Sequence, residues 1–444
     1  MECRVTRYFF AMSLALGLLS AAHAHPVLTF VEQTVTQPAK GSKDKPAADE
    51  FPVTATFGHN YLSVDSKDTR QLFDFEHRRV YHLDLENKTF EDFALFSVLG
   101  FRAMELQNRI SINTMLSAAK IENGAQAPAL SEHLLSLTAD GQDTVIDIKH
   151  AKGMTAYSWK GTELLSVSDK TRALPPAYQA EYPRFLRYVF GGHPKILSDL
   201  EHRSGVPEIL KTTQHDLGER FITLRLTSIT NAPDAPYSLA GFTRAAPSRE
   251  PFLTLQKIGP DGAAGLAKRA EAAQRDRDAA TAQGRMLDAA LAHFTYALST
   301  GDSGRDWLMQ TRDRIKADAD ASALASSLSA KNAGETGKAV QTLAALRAKS
   351  TSPYAYLLDV FAANHEVALK HATEARKLFL SALAANPYLT GAWFDLGKLF
   401  YGTFKTEEAW ACWDAARAMN ANHPFGKNVE SMERQMAADH PELF

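Results

Sequence analysis

Residues 391–424 read GAWFDLGKLFYGTFKTEEAWACWDAARAMNANHP, and their reading decides the second half of the fold. Trp393, Leu396, Gly397 and Phe400 recur at helical spacing. After a break they are followed by Ala409, Trp413 and Ala416, again at helical spacing. This second set repeats an earlier one: Ala375, Phe379 and Ala382 lie 34 residues upstream (409 − 375, 413 − 379, 416 − 382). A fixed period of that size is the signature of stacked helical hairpins. Gly397 and Ala409 let two helices approach closely, while Trp393, Phe400 and Trp413 fill the gap to a neighbouring hairpin.

The pattern weakens toward the N-terminus. Ala339, Leu343 and Leu346 stand 36 residues before their counterparts (375 − 339), and Ala290, Phe294 and Ala297 stand a further 49 residues back (339 − 290). From Asp261 to Phe444 strand signals are missing and the chain is rich in Ala, Leu, Lys and Glu. The unit at 391–424 resembles a tetratricopeptide repeat, and Ala375, Phe379, Ala382 and Pro387 match the second helix of a preceding unit. That unit's first helix, Tyr354 to Asn364, fits the pattern with about two residues inserted. The resemblance implies a concave groove, lined by first helices, that binds an extended peptide or a partner helix. It makes Phe394, Lys398 and Tyr401 the candidate partner-binding residues. The family's clamp for a terminal carboxylate uses Lys and Asn; Asp395 and Lys398 stand in that region, with no matching Asn.

Upstream of the repeats the periodicity changes. Residues 51–232 are expected to form an antiparallel α+β domain. Tyr81, Leu83 and Leu85 alternate with His82 and Asp84, the period of a half-buried strand. The hairpin signals are Glu76-His77-Arg78, Ala139-Asp140-Gly141, Ala151-Lys152-Gly153 and Lys160-Gly161. They bound short strands, among them His133–Thr138, Thr144–Lys149, Thr155–Trp159 and Glu163–Ser168. Phe93 to Leu116 has helical spacing, and Tyr178–Phe190 and Pro194–Arg203 read as shorter helices. With Trp159 to Ser168 as a strand pair, the domain resembles in architecture the half-barrel of periplasmic lipoprotein carriers. That resemblance implies a pocket for an apolar, lipid-like ligand. Residues 233–260, with Pro233, Pro236, Pro247, Pro251 and Pro260, read as a Pro-rich linker. The expected fold class is therefore α+β: an antiparallel sheet domain with a few helices, then an all-α helical-hairpin repeat domain at 261–444.

The N-terminus reads as a Sec-type signal peptide over residues 1–24. Arg4 and Arg7 precede the apolar run Tyr8–Leu19, and Ala22-His23-Ala24 offers small residues at a cleavage site. No later apolar run is long enough to span a bilayer. The expected location is periplasmic or secreted, in a bacterium. Residues 25–50 carry little to bury after Gln37 and are expected to be a flexible leader. Cleavage would leave His25 first, where an amine and an imidazole chelate copper in the manner of histidine-brace proteins. A cut after Ala22 would put His25 third, another copper-binding arrangement. His25 is thus the one metal candidate, against the plain reading that Ala-His-Ala-His is a cleavage context.

Composition narrows the function classes. The chain has 444 residues, 45% of them hydrophobic and 23% charged, with a formal net charge of −2. Nucleic-acid binding wants a basic excess and is not expected. Outside the signal the only thiol is Cys412, on a periodic helix, so a buried small hydrophobe is expected there and a disulfide is not. No G-x-S-x-G, P-loop, G-x-G-x-x-G or H-E-x-x-H motif occurs. His193, His202 and His215 share a neighbourhood with Asp199 and Asp216, without metal-ligand spacing. The expectation is a non-catalytic binding or scaffold protein with no cofactor. Its partner would be a protein held by the helical repeats, and the alternative is an apolar ligand in the strand domain.

Overall fold

The structure is a computed structural model that describes residues 24–38, 45–120, 127–139, 144–215, 218–233 and 235–444. Residues 1–23, all but the last residue of the expected signal peptide 1–24, lie outside the described residues. An antiparallel sheet unit is followed by an all-helical unit, as the two periodicities require.

The first half of the sheet is a meander: β1 (His25–Pro38), β2 (Ala47–Phe57), β3 (Tyr61–Ser66), β4 (Thr69–Asp74), β5 (Arg79–Asp84) and β6 (Thr89–Ala94). The chain then crosses through α1 (Leu95–Ala118) and α2 (Pro128–Leu135) to β7 (Asp147–Ala151), β8 (Met154–Trp159) and β9 (Thr162–Ser168). A two-residue strand β10 (Thr171–Arg172) precedes α3 (Glu181–Val189) and α4 (Pro194–Glu201), and pairs with β11 (Val206–Pro207). Next come β12 (Ile209–His215), β13 (Gly218–Ala232) and β14 (Thr243–Arg244). The twelve-stranded sheet runs β14-β6-β5-β4-β3-β2-β1-β13-β12-β9-β8-β7. Every pairing is antiparallel except β14 with β6.

This order corrects the flexible leader expected at 25–50. His25–Pro38 is a central strand, and its full-length pairing with β13 joins the two halves of the sheet. The run Val27 to Val35 carries the β-branched alternation of such a strand, with Leu28 and Phe30 in the core. The polar stretch misled because Ala47–Glu50, the start of β2, is exposed and buries nothing although it pairs with β1. The strand expected at His133–Thr138 is also corrected. Pro128 starts a helix there, and Ser136 ends it in the left-handed region at φ 56°.

The core lies between one sheet face and α1, α3 and α4. Phe30 of β1 stacks on Phe185 of α3 with ring centres 5.6 Å apart, and Phe57 approaches the same ring at 6.4 Å. Leu95, Leu99 and Leu106 of α1 and Ile196, Leu197 and Leu200 of α4 complete it. One buried polar knot closes the joint between α2 and α4. Glu132 accepts from the amide of Ala139 at 2.9 Å and the hydroxyl of Thr144 at 2.6 Å, with His193 Nε2 at 3.1 Å. His193 Nδ1 accepts from the amide of Lys195 and caps α4, so Nε2 carries the proton given to Glu132. His133 Nδ1 accepts from the amide of His193 at 3.0 Å, which leaves its Nε2–H for Thr212 at 3.0 Å.

The helical unit comprises α5 (Phe252–Leu255), α6 (Gly262–Ala282), α7 (Met286–Thr300), α8 (Arg305–Ala317) and α9 (Ala319–Ser327). It continues with α10 (Ala333–Lys349), α11 (Tyr356–Ala368), α12 (Ala372–Ala385), α13 (Thr390–Tyr401), α14 (Thr406–Met419) and α15 (Gly426–Asp439). The hairpins α11–α12 and α13–α14 start 34 residues apart in both helices (390 − 356, 406 − 372), so the first helix needs no insertion. A Cβ at Gly397 would meet Trp413 Nε1 at 2.3 Å and the carbonyl of Ala409 at 3.0 Å. The indole of Trp413 donates to the carbonyl of Phe394 at 3.2 Å and that of Trp393 to Pro387 at 2.8 Å. Cys412 is fully buried.

Two predictions follow from this packing. Gly397→Ala should lower the thermal midpoint by the equivalent of about 1–3 kcal/mol, because overpacking against Trp413 exceeds the gain in helix propensity. Gly337→Ala, in α10 with open space at the Cβ, should raise stability by about 0.5–1 kcal/mol. Equal shifts in the two variants would contradict the close approach.

The polar knot around Glu132 makes stability depend on pH. Burial, with His193 and His215 adding to it, pushes His133 down to about 3 from 6.5. The unfolded chain therefore takes that proton first, and stability falls as pH drops from about 6.5 toward 3. The slope is about 1.4 kcal/mol per pH unit. Burial pushes Glu132 up, but the hydrogen bonds from His193, Thr144 and Ala139 outweigh it and hold the carboxylate below its usual range. It adds a further loss as pH falls through the carboxylate range. Urea titrations of wild type and His133→Gln across this range check the account, and the variant should flatten the upper part of the profile.

Candidate functional site

The two units meet along α1 and α14. A Cβ at Gly100 of α1 would lie 2.8 Å from the ring of Trp410 and 3.4 Å from Tyr401. Phe96, one turn earlier, sits 5.0 Å from the ring of Phe444. Residues 441–444 lie back on the sheet unit: Arg187 donates to the carbonyl of Glu442 at 3.0 Å and Tyr188 to that of Leu443 at 2.5 Å.

A chain of alternating charges crosses the same boundary. Glu433 of α15 accepts from Trp410 Nε1 at 2.9 Å and pairs with Arg417 at 2.7 Å. Arg417 pairs with Asp414 at 2.6 Å, and Asp414 with Arg79 of β5 at 2.8 Å. Arg79 reaches Asp92 of β6 at 2.5 Å, and Asp92 also holds Arg244 of β14 at 2.5 Å. Burial works against the Arg79 cation, but Asp414 and Asp92 together keep its pKa above the ordinary value. Nearby, Arg249 bridges Glu407 at 2.7 Å and Glu408 at 3.1 Å. Burial, helped by Glu408, leaves the Glu407 carboxyl raised despite Arg249.

The segment expected to be a linker builds the floor of this boundary. Thr243 and Ala245 donate to the carbonyls of Lys88 and Phe90, adding a short parallel strand to the sheet edge. Tyr237 donates to Asp74 at 2.5 Å. Residues 237–245 are therefore tied to the sheet, through the Tyr237 hydroxyl and through main-chain pairing at Thr243–Ala245 that proline content does not reveal. Between this strap, β6, the first turn of α6 and one stripe of α14 lies a cleft of about 820 Å³. Phe93, Phe252, Leu255, Ile258 and Met419 supply apolar walls, and Arg79, Arg244, Asp92, Asp414 and Glu407 form the charged rim.

The sequence candidates fall elsewhere. Phe394, Lys398 and Tyr401 do share one stripe of α13. Phe394, however, is 4% exposed, stacked on His423 at 5.3 Å and packed near Phe425. Tyr401 packs on Trp410 at 5.6 Å and on Trp413 at 5.8 Å, next to α1. Only Lys398 of the three is exposed. The α11 and α13 faces are also partly covered by α7: Phe294 meets Phe361 at 5.3 Å, and Leu298 lies against Gly391. His25 is buried in β1 with Nδ1 3.2 Å from the hydroxyl of Tyr178. Among the described residues no group of three His, Cys, Asp or Glu side chains is placed to hold a metal ion. His193 turns to Glu132, His202 to the carbonyl of Ser198 and His215 to Glu219, so the three histidines do not converge. Sequence reasoning missed the cleft because its parts come from four distant segments; the signal available was the cluster of prolines between two charged, periodic regions.

No helix among the described residues is long and apolar enough to cross a membrane. No known family model matches the chain, and no curated protein matches it. One solved structure, described as lipid–protein interactions in lipovitellin, is similar at 12% identity with a TM-score of 0.17. The match covers 90% of this chain, which spans 46% of that one. A likeness of this size carries no argument about fold or ligand.

Proposed function

We propose that the chain is an exported, non-catalytic binding protein. In this reading the helical unit and the sheet unit together engage a protein partner, and the inter-unit cleft takes an extended, mostly apolar segment of it. The observation that carries the proposal is the cleft itself. Its volume suits a short segment or a drug-sized ligand, and its walls are apolar with few polar groups. On its rim Arg79, Asp92, Asp414 and Arg244 are already paired with one another, and Glu407 is paired with Arg249, so an incoming apolar segment meets charges that already have partners. The first turn of α6 adds leading amides without helical acceptors, which suit peptide carbonyls. Its lining holds no Ser, Thr, Cys, His, Lys or Tyr, and three of its carboxylates, Asp92, Asp414 and Glu407, are engaged by arginines, which suits binding.

A second reading keeps an apolar, lipid-like ligand. The face of the sheet under α1, α3 and α4 is occupied by Phe30, Phe57 and Phe185, so such a ligand would compete for the same cleft.

The test uses the full chain and an environment-sensitive apolar dye, anilinonaphthalene sulfonate, followed by panning of a random peptide library. Ala418 lines the cleft and is exposed, so Ala418→Trp fills it without touching the core. Wild type should bind the dye, and selected apolar peptides should displace it. Ala418→Trp should weaken both by roughly tenfold or more at unchanged melting temperature. Dye and peptide binding that ignore Ala418→Trp would remove the cleft from the account. Lipid released from gently extracted protein, with no peptide selected, would favour the second reading.

A further inference from the structure

The two ends of the twelve-stranded sheet are unlike. One end is closed: β14 is two residues long, its Arg244 is held by Asp92, and Pro247 follows. The other end, β7, is hydrogen-bonded among the described residues to β8 alone, and all five of its residues are exposed. Val145 just before it is 68% exposed and Ile148 within it 51%. A free edge with exposed branched apolar side chains is a surface that native proteins ordinarily cover or blunt.

The turn fixes which main-chain groups the edge offers. Lys152 and Gly153, both at positive φ, close a two-residue hairpin between Ala151 and Met154. The closing pair of such a hairpin exchanges both hydrogen bonds, and the pattern then alternates. Ala151, Lys149 and Asp147 therefore turn their N–H and C=O groups to β8, while Ile148 and His150 turn theirs outward. Side chains alternate as well. Ile148 lies opposite Tyr157, a core residue, so it stands on the apolar face, and Asp147 and Lys149 stand on the other.

We propose that two copies of the chain pair antiparallel through β7, with the two-fold axis at Ile148. This register sets Ile148 against Ile148 as a hydrogen-bonded pair and continues the apolar row from Tyr157 across the axis. On the opposite face it sets Asp147 against Lys149, twice. An axis at Asp147 or Lys149 would oppose like charges, and one at His150 would set Lys149 against Ala151. The Ile148 register alone pairs opposite charges and joins apolar to apolar. The Lys149 that blunts the edge toward foreign strands is the residue that Asp147 of a second copy would neutralise.

Sedimentation equilibrium of the full chain, with variants, tests this. Wild type should show a concentration-dependent dimer. Ile148→Pro removes only an outward N–H, so it should be monomeric with an unchanged melting temperature. Asp147→Lys and Lys149→Asp should each weaken the dimer by roughly tenfold, and the double exchange should restore it. Under oxidation, with Cys3→Ser as background, Ile148→Cys should give a covalent dimer and Lys149→Cys none, since Cys412 is buried. Wild type that stays monomeric at every concentration would overturn the proposal and leave the edge to a strand from another protein. A dimer untouched by Ile148→Pro would overturn it equally.

Discussion

Gly100 lacks a side chain where the ring of Trp410 occupies the space that a Cβ would need. On this contact the rest of the architecture depends. The N-terminal turns of α1 face two ways: Leu95 and Leu99 enter the core under the sheet, while Phe96 and Gly100 meet the helical unit. One helix therefore belongs to both hydrophobic cores. Trp410 answers it from α14, fully buried, with its indole donating to Glu433. Docking two surfaces this closely brings Arg79 within reach of Asp414, and the cleft is the space left beside that charge chain.

The energetic logic differs along the boundary. The α1–α14 contact removes aromatic and aliphatic surface from water and is the stabilising part. The charge chain is partly exposed, so its worth lies in fixing orientation and not in net stability. A sheet seam performs the corresponding service inside the first unit. Because β1 and β13 pair along their whole length, the meander β2–β6 and the strands β7–β9 and β12 form one sheet. The meander's last two strands then present Arg79 and Asp92 to the helical unit at a fixed height.

Much of this was legible from residues. The 34-residue register located α12, α13 and α14, and the Gly397–Trp413 contact is the one that small and large residues at that spacing imply. The hairpins at Glu76-His77-Arg78, Ala151-Lys152-Gly153 and Lys160-Gly161 also follow from turn residues, whereas Ala139-Asp140-Gly141 comes after a helix and its residues 140 and 141 lie outside the described residues. The failures have physical causes. β1 is buried by strands some two hundred residues away, and a local reading sees only the polar residues after it. The helix at Pro128–Leu135 has one short apolar stripe, which alternation imitates over so few residues. Phe394 and Tyr401 do share a face, as their spacing says. Periodicity could not tell that α15, α1 and the 420–426 turn would cover that face, because those contacts are set by tertiary packing.

The claim that carries the account is that the two units are one cooperative structure through the α1–α14 contact. Differential scanning calorimetry of the full chain and of Gly100→Leu tests it directly. The account predicts one transition for the wild type. It predicts that Gly100→Leu lowers the midpoint and splits the profile into separate sheet and helical components. Two independent transitions in the wild type, or a single unshifted transition in Gly100→Leu, would contradict it.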